Sequence, residues 1–148
     1  MLSELGGLNG VRYLLPSEIS SYQVTDAGVT IVPKQGFGWK DLPTTRYGAT
    51  IVVTPDRSES GVLYTISGTI SMPPKQYTNE LERQLSRMDA MGAVICYSLA
   101  NGVKMVVGSQ RMPVRTAHAL LNSNTASGAS GIRINLSGKS LRPQLPLL

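Results

Sequence analysis

Between Val62 and Met72 the chain alternates with a period of two. Val62, Tyr64, Ile66, Gly68, Ile70 and Met72 fall on one side, and Leu63, Thr65, Ser67, Thr69 and Ser71 on the other. A strand sends successive side chains to opposite faces, so this run predicts a half-buried strand. Pro73-Pro74 stops it. The alternation returns at Ile132, Ile134 and Leu136, interleaved with Arg133, Asn135 and Ser137. Shorter apolar runs over 11–15, 29–32 and 49–54 end at Pro16, Pro33 and Pro55 and predict short strands, with Asp56 to Gly61 as a polar turn.

At Asn79 the period becomes helical. Leu81, Leu85, Met88 and Met91 form an apolar stripe, with Glu80, Glu82, Arg83, Arg87 and Asp89 on the wet side. Asn79 is the expected cap, Glu82 completes a box-like start, and Gly92 suits the stop. Arg83 and Arg87 beside these acids read as a solvated face with modest pairing.

Asn101-Gly102 separates two apolar runs, 93–100 and 103–108, and predicts a two-residue type I′ hairpin turn. That register sets Ala100 opposite Val103, Ser98 opposite Met105 and Cys96 opposite Val107. Cys96 then lies on an apolar face with Val94, Val103, Met105 and Val107, as a buried, inert thiol. Arg111 to Leu121 reads as a strand or, from Thr116, a helical turn, and 122–131 as a flexible hairpin or loop. Together these elements predict a mainly β, α+β single domain over 1–148: an antiparallel β-sandwich or barrel with one packed α-helix.

Composition adds a partner to this picture. Charged residues are only 16% of the 148, against roughly 25% in an average soluble protein. The extended loop 34–48 holds Phe37, Trp39 and Tyr47, and an apolar tail with two prolines runs over 141–148. Long loops and apolar tails of this kind tend to be binding elements. The expected subunit-interface residues are therefore Phe37, Trp39, Tyr47, Leu141, Leu145, Leu147 and Leu148.

Charge is uneven. Residues 1–90 carry eight basic side chains against nine acids, whereas Lys104, Arg111, Arg115, Arg133, Lys139 and Arg142 follow Asp89 with no acid among them. These six form a candidate basic face for an acidic partner or nucleic acid. The loop aromatics beside Lys34, Lys40 and Arg46 could alternatively stack single-stranded bases. No apolar run approaches the roughly 20 residues of a membrane span, and the first residues do not read as a secretory signal, so cytoplasmic synthesis is expected.

Candidate chemistry is sparse. One cysteine and one histidine, His118, exclude a disulfide framework and a multi-ligand zinc site within one chain. His118 reads as structural or surface, with no nucleophile signature around it. Ser137-Gly138-Lys139-Ser140 ends like a phosphate loop, but Arg133 stands where the first glycine is required. No catalytic residue, cofactor, metal or small-molecule substrate is expected.

The order of Ser58-Glu59-Ser60-Gly61-Val62-Leu63-Tyr64, the helix, the Asn101-Gly102 hairpin, Val106-Val107-Gly108-Ser109 with Pro113, and Gly131-Ile132-Arg133-Ile134-Asn135-Leu136-Ser137-Gly138 with its proline-containing tail resembles small virion proteins of tailed phages and prophages of Bacteroides-like bacteria. The likeness covers about two thirds of the chain. It implies a structural subunit of an oligomeric ring or tube at the neck or tail, assembled in the host cytoplasm and resident in the virion. Its partners would be copies of itself and other virion proteins, with DNA in a channel as a further contact. The alternative is a small basic nucleic-acid-binding module that uses the acid-free C-terminal stretch.

Overall fold

A computed structural model describes residues 8–42, 44, 49–59, 61–73, 77–99, 101–121 and 131–148. In chain order the elements are β1 (Leu8–Leu14), a 3-10 turn at Pro16–Glu18, β2 (Ile19–Thr25), β3 (Gly28–Pro33), β4 (Lys40–Asp41), β5 (Ala49–Ser58) and β6 (Gly61–Met72). There follow α1 (Asn79–Met91), β7 (Val94–Leu99), β8 (Lys104–Val107), β9 (Arg115–Leu121), β10 (Gly131–Ser140) and β11 (Leu145–Pro146). The described pairs between strands are antiparallel, in three sheets ordered β11-β8-β7-β1-β4, β5-β6-β10-β9 and β2-β3. The mainly β fold with one packed helix is as expected. The sheets stay open, which leaves the sandwich and removes the barrel.

Two apolar cores explain the layering. The larger lies between the five-stranded and four-stranded sheets and takes Tyr13, Ile95, Tyr97 and Val107 from one, Ile66, Ile70, Ile132, Ile134 and Leu136 from the other, and Leu81, Leu85 and Met88 from α1. Ile70 and Ile134 sit opposite one another and are fully buried, so truncating either to alanine costs roughly 2 to 5 kcal/mol. The smaller core lies on the other face of the five-stranded sheet, where Ile19, Val29 and Ile31 of β2–β3 cover Leu14, Val94, Cys96 and Val106. No helix among the described residues is long and apolar enough to cross a membrane.

Four local expectations are corrected. The cap of α1 is Thr78, whose side chain accepts from the Leu81 amide, one residue before Asn79, while Gly92 ends the helix at φ 78 as expected. Met91 drops out of the stripe and is exposed. The hairpin turn is one residue longer: the Gly102 amide donates to the Leu99 carbonyl and Gly102 takes φ 89, as in a three-residue loop. Cys96 therefore faces Val106, Tyr97 faces Met105 and Ser98 faces Lys104, and Val107 moves to the opposite face from Cys96. Cys96 remains buried because β7 is covered on both sides.

β5 continues through Pro55 to Ser58, pairing Pro55 with Tyr64, where a turn was expected from Asp56. β9 forms as a strand and settles the choice at 116–121 against a helical turn. In β2, Tyr22 and Val24 pack on the smaller core and Gln23 and Thr25 are exposed, and the irregularity in the β2–β3 pairing between Ile19 and Ser21 puts this alternation out of phase with Ile19.

Candidate assembly surface

The four-stranded sheet turns one face to the core and leaves the other bare. Its register aligns Val52, Ser67, Ser137 and Arg115 in one row, and Thr50, Thr69, Asn135 and Ala117 in the next. All eight are exposed. Arg133 and Lys139 lie on the same face of β10, two residues either side of that pair of rows, and are exposed as well. The face thus carries hydroxyls, amides and three cations, Arg115, Arg133 and Lys139. Lys104, Arg111 and Arg142 are exposed elsewhere: Lys104 on β8, Arg111 in the turn before β9, and Arg142 after β10, where its amide donates to the Ser140 hydroxyl. The fold gathers half of the predicted basic face.

The two long edges of this sheet differ. On β9 the His118 amide donates to Asp89 Oδ2 at 3.3 Å and the Thr116 hydroxyl to Asp89 Oδ1 at 2.7 Å, so α1 occupies that edge. The outward amide of His118 also fixes the phase of the ladder. Backbone groups of alternate residues point to opposite sides in an antiparallel sheet. Since His118 points away from β10, its partner Ile134 points to β6, Ile70 points to β10, and Ala49, opposite Ile70, points away from β6. Ile51, Val53, Pro55 and Arg57 share that phase. Pro55, which has no amide hydrogen, therefore sits where none is needed by β6. Among the described residues no strand pairs with this outer side of β5.

The predicted interface residues separate into two groups. Phe37, Leu141 and Leu148 are exposed. Trp39, Leu145 and Leu147 pack against the smaller core, so they close the fold internally and leave little apolar surface for a neighbour. β4 pairs with β1, and Leu42 is buried in the main core, so loop 34–48 is tied down at its middle. The tail is likewise tied: Leu145 pairs with Val106, and the Leu147 and Leu148 amides donate to the Lys104 and Val29 carbonyls. Tyr47 and the flexible loop expected over 122–131, apart from Gly131, lie outside the described residues.

One constellation was not read from the sequence. His118 Nδ1 lies 2.5 Å from Asp89 Oδ2, and Nε2 lies 3.0 Å from both oxygens of Glu82. Glu82 also accepts from the Ser86 hydroxyl and bonds Tyr77. Burial pulls the His118 pKa down, but the hydrogen bonds and charges of Asp89 and Glu82 outweigh it, and the net shift is upward. Glu82 shows the reverse: burial raises its pKa, and bonds from His118, Tyr77 and Ser86 bring it below the usual value. The signal available beforehand was that Glu82 and Asp89 are seven residues apart, two turns on one helix face. Cys96 is buried and its thiol pKa is raised, chiefly by burial, as suits an inert side chain.

No protein-family model, no curated protein and no solved structure matches this chain.

Proposed function

We propose that this protein is a structural subunit of a tailed-phage virion, one unit of an oligomeric ring or tube at the neck or tail, joined by a neighbouring subunit's strand added to β5. The observation that carries the reading is the ten-residue edge strand β5, whose outer side pairs with no strand among the described residues, beside a bare, small-residue sheet face. Unpaired edges are templates for strand addition, and proteins that do not use them usually block them. The low charge and the motif order resembling small phage virion proteins support the same reading. The test is the mass of the purified protein in solution together with its presence in purified particles. A chain that stays monomeric and is absent from particles would sink the proposal.

A second reading, a basic nucleic-acid-binding module, is favoured by one observation: Arg115, Arg133 and Lys139 share an exposed, hydroxyl-rich face. Binding through phosphates releases counterions, so affinity for duplex DNA should fall steeply with salt. Changing all three to alanine should flatten the log–log slope by roughly 2 to 3. An unchanged slope would remove this face from consideration.

A further inference from the structure

Arg83 and Arg87 lie one turn apart on α1, both exposed, and among the described residues neither has a carboxylate within ion-pair distance. They border a cleft of about 330 Å³ whose walls include Tyr13, Lys40, Glu80 and Gln84. That volume falls at the small end of ligand sites, where a few convergent polar groups set the specificity.

The far wall is built from fixed groups. Glu18 is 2% exposed, accepts from the Leu15 amide, and holds Lys40 Nζ at 2.8 and 2.6 Å from its two oxygens. Lys40 in turn sits 5.5 Å from the centre of the Tyr13 ring. Tyr13 is 1% exposed, is one of the residues lining the cleft, and its hydroxyl has no hydrogen-bond partner among the described residues. Buried hydroxyls normally find a partner, and here the place for one is the cleft itself. Burial first, and then the Glu18 charge, push the Tyr13 pKa up to about 12 against a smaller opposite pull from Arg87, so the phenol stays a donor at neutral pH.

Lys40 is neutralised by Glu18, which leaves two guanidiniums, a phenol and the Gln84 amide facing a single acid, Glu80. We propose that this cleft binds a small oxyanion, carboxylate or phosphate, gripped by Arg83 and Arg87 and hydrogen-bonded by the Tyr13 hydroxyl. Guanidinium forks match both groups bidentately, and two of them in one cleft favour a ligand with at least two oxyanion oxygens.

Titrating the full chain with inorganic phosphate in one arm and citrate in the other, followed by amide chemical shifts, tests this. Saturable shifts should centre on Tyr13, Gln84 and Arg87, and the tighter arm identifies the ligand class. Arg87→Ala should weaken the better ligand about tenfold, with Arg87→Lys falling between, and Tyr13→Phe about fivefold. Arg57→Ala, on β5 away from the cleft, should leave affinity unchanged. Shifts scattered evenly over the basic residues, non-saturable titrations in both arms, or equal affinity in Arg87→Ala would overturn it. Arg87 is exposed, so that variant tests binding without loss of the fold.

Discussion

At one edge of the four-stranded sheet, Asp89 reaches across from α1 to take the His118 amide and the Thr116 hydroxyl. At the other edge, Ala49, Ile51 and Val53 point their backbone groups away from β6, toward no strand among the described residues. Both edges belong to one sheet and one core, yet the β9 edge is taken by a side chain from α1, while the β5 edge is interrupted only from Pro55 onward. A sheet plugged on one side and open on the other can accept a single added strand, and cannot extend indefinitely through both. The plug itself is polar and titratable, whereas the open edge is β-branched and neutral until Asp56.

Breaking the open edge should have the largest effect. Val53→Pro removes an outward amide hydrogen that β6 does not use, as Pro55 already does. Association in solution, read by light scattering, should be lost outright while the circular dichroism of the sheet persists. Val52→Lys, on the exposed face, should weaken association less. Unaltered mass in both variants would show that β5 takes no part in assembly.

Removing the plug should come next. Asp89→Ala loses the His118 ion pair and two hydrogen bonds, which should lower unfolding stability by about 2 kcal/mol in urea. It also uncovers the second edge, so species larger than those of the wild type should appear. A stable variant with an unaltered size distribution would contradict both halves of the comparison.

The plug should also respond to pH. His118 has a raised folded pKa, so its contribution is fully present below the unfolded value of 6.5 and is lost as pH rises through the folded one. Glu82, with a lowered pKa, contributes above its ordinary 4.5 and loses that as pH falls through the folded value. The bridge from α1 to β9 is therefore strongest between those two values. The groups around the imidazole are Asp89 and Glu82, with Tyr77, Ser86 and Thr116 bonded to these carboxylates. The urea midpoint should decline above pH 6.5 in the wild type and stay level in His118→Phe; parallel curves would count against the bridge. The smallest effect belongs to Thr116→Val, about 1 kcal/mol with the pH profile retained.

Much of the sheet was legible in the sequence, and almost none of its edges. The alternation at 62–72 and in 132–136 marks β6 and β10 because both have one buried and one wet face. The stripe Leu81, Leu85 and Met88 likewise marks the buried side of α1. β7 defeats the same logic: with apolar neighbours on both faces, a shift of one residue in the Asn101-Gly102 turn leaves the pattern unchanged, and only the turn's hydrogen bonds decide it. Trp39, Leu145 and Leu147 look like surplus apolar surface because the core they cover is assembled from β2, β3, β7 and β8, distant in sequence. Edge status is a non-local property of the same sort. Nothing in residues 115–121 announces that a carboxylate from α1 will lie beside them. The cleft was missed for a related reason: Arg83 and Arg87 carry the pattern of an ordinary wet helix face, and Tyr13 and Lys40 reach them only through β1 and β4.

β7 has a consequence for how the molecule comes apart. Val94 and Cys96 belong to the smaller core and Ile95 and Tyr97 to the larger, so one strand is a party wall. The β2–β3 ribbon cannot peel away without wetting the reverse side of the sheet that holds the main interior. Partial opening is therefore penalised twice, and the two interiors should behave as one cooperative unit rather than as separable foldons.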